Sequence, residues 1–190
     1  MLRREFLKSA SAITAMTQLP WLVKMGFGNP SPAGGILLND AHSGLNPTLV
    51  HSVHKPTTLE SAQKIVVDAV SLQRSISISG GKHALGTQQL ATDATHIDTT
   101  SLKRVFGLDQ DNGIVKVEAG IRWPELMEGI QNLQRDAQNP WVIRQKQGGS
   151  DEICIGGTLS ANAHGRGLGM KPIVDDVEFL ELINARGELV

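Results

Sequence analysis

The chain has 190 residues, of which 40% are hydrophobic and 19% are charged, so it can bury the core of one domain and is not disordered by composition. The net charge is −1, and aromatic residues make up only 4% of the chain, with no tyrosine. These values argue against a nucleic-acid-binding surface. A single cysteine excludes an internal disulfide framework and any zinc site built from several cysteines.

The N-terminus carries a short basic segment followed by a weakly apolar stretch. Residues 1–8 read MLRREFLK, with Arg3 and Arg4 paired, and residues 9–23 are rich in Ala, Ser and Thr. This pattern resembles a twin-arginine export signal; an ordinary amphipathic helix with two surface arginines is the alternative. The apolar stretch is too short and too interrupted to span a membrane, which takes about 20 apolar residues.

The resemblance predicts that residues 1–33 are the export signal and that the protein is periplasmic or extracellular. Residues 34–190 then keep 14 basic and 18 acidic side chains, which makes the remaining domain mildly acidic. The twin-arginine route carries folded proteins that often hold a cofactor already. This resemblance therefore favours a bound organic cofactor.

After a linker over residues 34–46, rich in Gly, Pro, Ser and Asn, the sequence predicts a small β-α-β unit. Its elements are a strand over 49–53, a helix over 59–72 and a strand over 75–79. Either Thr57 or Thr58 can cap the helix, whose apolar residues recur at helical spacing. The second strand ends at a pair of glycines.

The remaining sequence predicts a mostly antiparallel arrangement with one more helix. The elements are a strand over 95–98, a hairpin of 105–108 with 114–118, a helix from Trp123 to about Arg135, and a strand over 177–183. The Asn112-Gly113 pair tolerates the positive φ of a hairpin turn, and Pro124 suits the first turn of a helix. Residues 185–188 predict a turn into a further strand.

Two glycine motifs are candidate binding segments. The first, residues 78–88, reads ISGGKHALGTQ and directly follows a predicted strand, where glycines let backbone N–H groups line an anion-binding concavity. It fits neither the dinucleotide fingerprint nor the P-loop pattern, so a plain turn with a spare lysine is the alternative. The second, residues 155–167, reads IGGTLSANAHGRG. It predicts a glycine-rich loop that either binds a ligand or only holds a structural histidine.

The order of these segments carries a family resemblance. A β-α-β unit ending in GGxH is followed by VxVEAG, WPEL, GGTLSANAHG and EFLELINARGEL. In this order the chain, from about residue 46 to 190, resembles the FAD-linked oxidoreductases of the PCMH, or vanillyl-alcohol oxidase, type. The resemblance implies an α+β fold over residues 47–190, with a small β-α-β subdomain followed by a second, mostly antiparallel α+β subdomain that is incomplete at its C-terminus.

The resemblance also implies which residues hold FAD. Residues near the first motif would bind the pyrophosphate, and the second motif would line the adenosine and the flavin, with Ser160, Asn162 and His164 offering hydrogen bonds. The candidate cofactor-binding residues are Gly80, Gly81, Lys82, His83, Ala84, Gly149, Gly156, Gly157, Ser160, Asn162 and His164.

His83 lies where many members of the family carry a histidine bonded covalently to the 8α-methyl group of the flavin. Lys82 departs from the commoner motif, in which glycine often stands there, so His83 could instead only hydrogen-bond the pyrophosphate or be exposed. The position used for a second, cysteinyl bond to flavin in some members is Ser150 here. Cys154 is therefore expected to be a small buried residue. No metal site is expected.

The activity implied by the resemblance is oxidation of an alcohol or sugar-like hydroxyl, with a hydride passing to flavin N5 and the electrons then going to oxygen, a quinone or another acceptor. In the family the catalytic base and substrate pocket come mainly from a C-terminal cap domain. The sequence ends before such a domain, so it assigns no base and predicts a truncated product. A non-catalytic remnant with the same fold and a reductase of the same superfamily are the alternatives.

Overall fold

The computed structural model describes residues 34–190, so the predicted export signal over residues 1–33 lies outside the described residues. The strands are β1 (Ile36–Leu38), β2 (Thr48–Val50), β3 (Ser52–His54), β4 (Ile76–Ser79), β5 (Thr95–Asp98), β6 (Val105–Asp109) and β7 (Ile114–Val117). The α-helices are α1 (Leu59–Ser71), α2 (Trp123–Leu133) and α3 (Ile155–Ser160), and short 3₁₀ turns span Thr99–Ser101 and Ile173–Asp176.

The strand predicted over residues 49–53 is two strands in two sheets. β2 pairs antiparallel with β1, and β3 pairs parallel with β5. The chain changes partners at His51, whose amide donates to the Ala94 carbonyl at 2.9 Å. The stretch predicted as a linker, residues 34–46, therefore contains β1.

A three-stranded parallel sheet in the order β3-β5-β4 forms the first part of the fold. α1 connects β3 to β4, as the β-α-β pattern predicts, and buries Ala62, Val66 and Ala69. Thr58 caps this helix: its hydroxyl accepts from the Ser61 amide at 3.2 Å, and the Ser61 hydroxyl accepts from the Thr58 amide at 3.1 Å.

The second part of the fold is built on the predicted hairpin and helix. β6 and β7 pair antiparallel, and α2 packs beside them. The buried core of this part consists of Ile121, Trp123, Leu126 and Ile130. The small parallel sheet and the antiparallel pairs together confirm the predicted α+β class.

The predicted strand over residues 177–183 is wrong. Its alternating apolar residues favour a strand, but a strand needs a hydrogen-bonded neighbour. Of residues 177–183, only Ile183 forms a bridge, with Leu189, across the turn predicted at residues 185–188. Phe179 and Leu182 are more than half exposed.

No helix within residues 34–190 is long and apolar enough to cross a membrane.

Replacing Thr58 with alanine should destabilise the protein. The substitution removes the hydroxyl that accepts a hydrogen bond from the Ser61 amide at the start of α1. Such caps contribute about 1 kcal/mol to the free energy of unfolding. Thr57→Ala is the matched control, because the structure assigns the cap to Thr58 alone, and it should change the unfolding free energy by less than about 0.5 kcal/mol. Chemical denaturation followed by circular dichroism measures both. Equal effects of the two substitutions would contradict the assigned cap.

Candidate cofactor site

The first glycine loop, residues 80–84, begins where β4 ends. Ser79 is the last residue of the strand, and Lys82 adopts a left-handed backbone conformation with φ +58°. The Lys82 carbonyl accepts the Ala41 amide at 2.8 Å. The loop is therefore held both by the sheet and by the segment that follows β1.

The two glycines of this loop lie directly against the residues that precede α3. A Cβ on Gly80 would lie 2.8 Å from both Cβ and Sγ of Cys154, and a Cβ on Gly81 would overlap the Glu152 backbone carbonyl oxygen. Only glycine allows the backbones to approach so closely. The fold thus brings the first motif against the start of the second, across about 70 residues of sequence.

The second motif is not the predicted loop, because its first half forms α3. Glycines disfavour helix, but tertiary hydrogen bonds hold this turn: the Ile155 amide donates to the Ile121 carbonyl at 2.9 Å, and the Gly156 amide donates to the Ala119 carbonyl at 2.8 Å. A Cβ on Gly156 would lie 3.0 Å from the Ala119 Cβ. The start of α3 therefore packs directly against residues 119–121, which connect β7 to α2.

The remaining candidates in and near the second motif lie at the surface. The Ser160 hydroxyl donates to the Gly156 carbonyl within α3 at 2.8 Å, and Asn162 follows the helix with φ +44°. Nδ1 of His164 is hydrogen-bonded to the carbonyl oxygen of its neighbour Gly165. The His164 side chain makes no hydrogen bond to residues 80–84. Gly149 adopts φ +73°, and a Cβ there would meet nothing within 4 Å.

His83 contacts a histidine that the sequence did not single out. Its Nδ1 lies 2.5 Å from Nε2 of His42, and the two rings meet edge to face with centroids 4.5 Å apart. Burial and the neighbouring His42 ring lower the pKa of His83. The lowered pKa favours the neutral form of the His83 ring, in which one of the two nitrogens carries a lone pair.

A second unpredicted feature is the buried imidazole of His96. Its Nδ1 and Nε2 each lie 2.8 Å from a serine hydroxyl of β4, those of Ser77 and Ser79 respectively. Burial lowers the pKa of His96, and the hydrogen bonds fix the end of β4 just before Gly80. The alternating serines of one predicted strand, facing a histidine of the next, are the sequence signal that could have found it.

Cys154 is a free, fully buried cysteine, 1% exposed, as expected from its surroundings in the sequence. Burial raises the pKa of its thiol, so the thiol is protonated at neutral pH and acts as packing against Gly80. Within residues 34–190, no three His, Cys, Asp or Glu side chains converge as a metal-binding group.

A cavity of about 630 Å³ lies along α1 and β3, on another part of the molecule. None of residues 80–84 or 154–164 lines it. Its lysines and arginine are already paired: Lys55 with Asp98 at 3.3 Å, Lys64 with Asp68 at 2.7 Å, and Arg74 with Asp93 at 3.0 Å. The cavity is therefore separate from the glycine segments.

The fold and the paired glycine segments define a cofactor-binding domain, and comparison with known proteins identifies its family. Residues 50–190 match the FAD binding domain family, so the chain belongs to that family. Its members are FAD-dependent oxidoreductases, and the cofactor is FAD. The resemblance to the PCMH-type FAD-linked oxidoreductases and the PCMH-type fold are both confirmed.

The chain is similar to two groups of curated proteins. It is 28% identical over 139 residues to L-gulono-1,4-lactone dehydrogenase of Mycobacterium tuberculosis, which covers 73% of this chain and 31% of the relative. It is 26% identical over 148 residues to mitochondrial L-galactono-1,4-lactone dehydrogenase of Brassica oleracea, covering 77% of this chain and 23% of the relative. The chain thus spans less than a third of the length of these relatives.

Solved structures show the same fold. Phl p 4, a grass pollen allergen with glucose dehydrogenase activity, superposes with a TM-score of 0.60 at 21% identity, over 73% of this chain and 28% of that chain. An alkyldihydroxyacetonephosphate synthase superposes with a TM-score of 0.53 at 18% identity, over 63% of this chain and 23% of that chain.

The geometry of residues 80–84 and 152–157 fits an FAD pyrophosphate. A pyrophosphate needs backbone N–H donors that it can approach closely. The packing of Gly80 on Cys154 and of Gly81 on the Glu152 carbonyl brings the backbones of the two glycine segments together, as a binding site formed from both would require. The flavin-binding residues themselves remain a prediction.

Gly81→Ala should abolish the uptake of FAD. The added methyl group would overlap the Glu152 carbonyl oxygen, which belongs to the backbone and cannot swing aside, and such overpacking costs about 1–3 kcal/mol. Gly107→Ala, on β6, is the matched control because a Cβ there meets nothing within 4 Å. Absorbance of the purified proteins after incubation with FAD and gel filtration measures the effect. Equal flavin content in both variants would contradict the cradle.

Proposed function

We propose that this chain is the FAD-binding portion of a flavin-dependent oxidoreductase that oxidises an alcohol or sugar-like hydroxyl. The observation that carries the proposal is the contact of the first glycine loop with the start of α3, within a chain of the FAD binding domain family. The substrate class rests on the relatives, whose names give L-gulono-1,4-lactone and L-galactono-1,4-lactone as substrates. A sugar lactone is therefore the first substrate to test.

When bound, FAD would supply the redox chemistry, with flavin N5 as the acceptor of a hydride equivalent from a substrate C–H and oxygen, a quinone or another acceptor as the final oxidant. The residues of this chain bind and orient. In the proposal, the backbone amides of residues 80–84 hold the pyrophosphate, and Lys82 places a positive charge beside it. Gly156, Gly157, Ser160, Asn162 and His164, with Gly149 before them, line the adenosine and the flavin.

Reduction of the bound flavin by substrate tests the activity. The purified chain is loaded with FAD, freed of excess cofactor, and mixed anaerobically with L-gulono-1,4-lactone or L-galactono-1,4-lactone. Loss of the yellow flavin absorbance, and its return on admission of air or a quinone, is the result that the proposal predicts. A chain that takes up FAD but is not bleached would be a cofactor-binding module without turnover. A colourless chain would overturn the proposal itself.

We further propose that His83 bonds covalently to the 8α-methyl group of the flavin. Its lowered pKa supports this, because only a neutral imidazole has a lone pair with which to form the bond. Forming the C–N bond would break one C–H bond of the methyl group and the N–H bond of the imidazole, and both hydrogens would leave as protons. The two electrons would remain on the flavin until dioxygen took them up, with two protons, as hydrogen peroxide.

Denaturing the FAD-loaded protein tests the covalent bond. Yellow, fluorescent flavin should stay on the polypeptide after acid precipitation, and His83→Ala should release it into the supernatant. His54→Ala is the matched control, because His54 is an exposed histidine outside the glycine segments whose ring bonds only Ser52, and it should leave attachment unchanged. Complete release from the unaltered protein would show that His83 contacts the cofactor without a covalent bond.

Residues 1–33 are proposed to direct export through the twin-arginine route, which places the FAD-binding domain, residues 47–190 after the segment 34–46, in the periplasm or outside the cell. Replacing Arg3 and Arg4 together with lysine should leave the protein in the cytoplasm, because the paired guanidinium groups are the signal's defining feature. Lys24→Arg, in the same segment and with the same charge, should be exported normally. Cell fractionation and immunoblotting measure both, and export of the double-lysine variant would contradict the assignment.

A further inference from the structure

The segment directly after β1 forms a rigid turn that contacts the first glycine loop. The Asp40 carboxylate, which is 7% exposed, accepts hydrogen bonds from the His42 amide at 2.9 Å and from the Ser43 hydroxyl at 2.6 Å. The hydrogen bonds from Ser43 and His42 lower the pKa of Asp40 to about 2, so this carboxylate stays ionised and the turn keeps its shape. The segment lies outside residues 50–190, which match the family.

Two contacts join this turn to the loop. The Ala41 amide donates to the Lys82 carbonyl at 2.8 Å, and the next residue, His42, meets the ring of His83 with 2.5 Å between Nε2 and Nδ1. A backbone hydrogen bond and a side-chain hydrogen bond from adjacent residues orient the turn on the loop. The backbone hydrogen bond of Ala41 therefore places the neighbouring His42 ring beside His83.

The contact also decides which atom of His83 is free. With Nδ1 engaged by His42, the remaining ring nitrogen is Nε2, which lies over Gly81, 3.2 Å from the place that a Cβ would occupy there. This is the glycine that packs against the Glu152 carbonyl. The His42 ring thus fixes the orientation of the His83 ring, as hydrogen bonds to the far ring nitrogen do for other functional histidines.

We propose that His42 is a positioning residue of the cofactor site, which holds the His83 ring through Nδ1 so that Nε2 is the atom presented to the cofactor. This inference rests on the proposed function, in which His83 contacts FAD. His42 does not itself touch the cofactor in this account and acts through His83 alone.

A double-mutant cycle tests the inference, because two residues that act through one contact do not have additive effects. Flavin-free full-length chain is prepared as the unaltered protein, His42→Ala, His83→Ala and the double variant, and the initial quenching of FAD fluorescence gives the Kd. His42→Ala should raise the Kd about five-fold, the loss expected for one hydrogen bond. In the His83→Ala background the same substitution should leave the Kd unchanged.

Two further variants separate positioning from general stability. His42→Gln places an amide near the position of Nε2 and should restore most of the FAD affinity that His42→Ala loses. His54→Ala, an exposed histidine whose ring bonds only Ser52 on its own strand, should leave the Kd unchanged. Thermal unfolding of the flavin-free variants checks that each is folded.

The outcomes are distinguishable. Unaltered protein that binds no FAD overturns the proposed function and this inference together. If the unaltered protein binds FAD, the inference alone is overturned by an unchanged Kd in His42→Ala, by an equal loss in the presence and absence of His83, or by a His42→Gln variant as weak as His42→Ala.

Discussion

The close approach of two backbone segments at Gly80 and Gly81 is the constraint on which the rest of the site depends. Neither glycine could carry a methyl group without displacing Cys154 or the Glu152 carbonyl, so the distance between the two segments is set by the absence of side chains. The parallel sheet supplies one segment and the start of α3 supplies the other. Any ligand held by both must sit where these two parts of the fold meet.

The contact is stable because each segment is anchored from behind. His96 holds the end of β4 through two serine hydroxyls. On the other side the indole N–H of Trp123, buried in the core, donates to the Thr158 hydroxyl of α3 at 3.2 Å. A cofactor cradle needs backbone donors fixed before the ligand arrives, since ordering them on binding would reduce affinity. These buried hydrogen bonds hold the backbone of both segments in place before any cofactor binds.

Local chemistry made α1, β5 and the hairpin predictable from the sequence: helical spacing with a threonine cap, a short strand before Asp98, and an Asn-Gly turn. The features that were missed depend on contacts between distant residues. α3 forms in a glycine-rich segment only because its first amides bond Ile121 and Ala119, and the contact of His42 with His83 spans 41 residues. The strand expected at residues 177–183 does not form, because apolar alternation favours a strand but does not provide the neighbouring strand with which it must pair.

Hydrogen–deuterium exchange of the chain with and without FAD tests most directly whether the two glycine segments form one cofactor cradle. The amides of residues 80–84 and of residues 152–160 should gain protection together, at the same FAD concentration, while those of α1 change little. Protection of only one segment, or of residues lining the cavity beside α1 instead, would contradict the account.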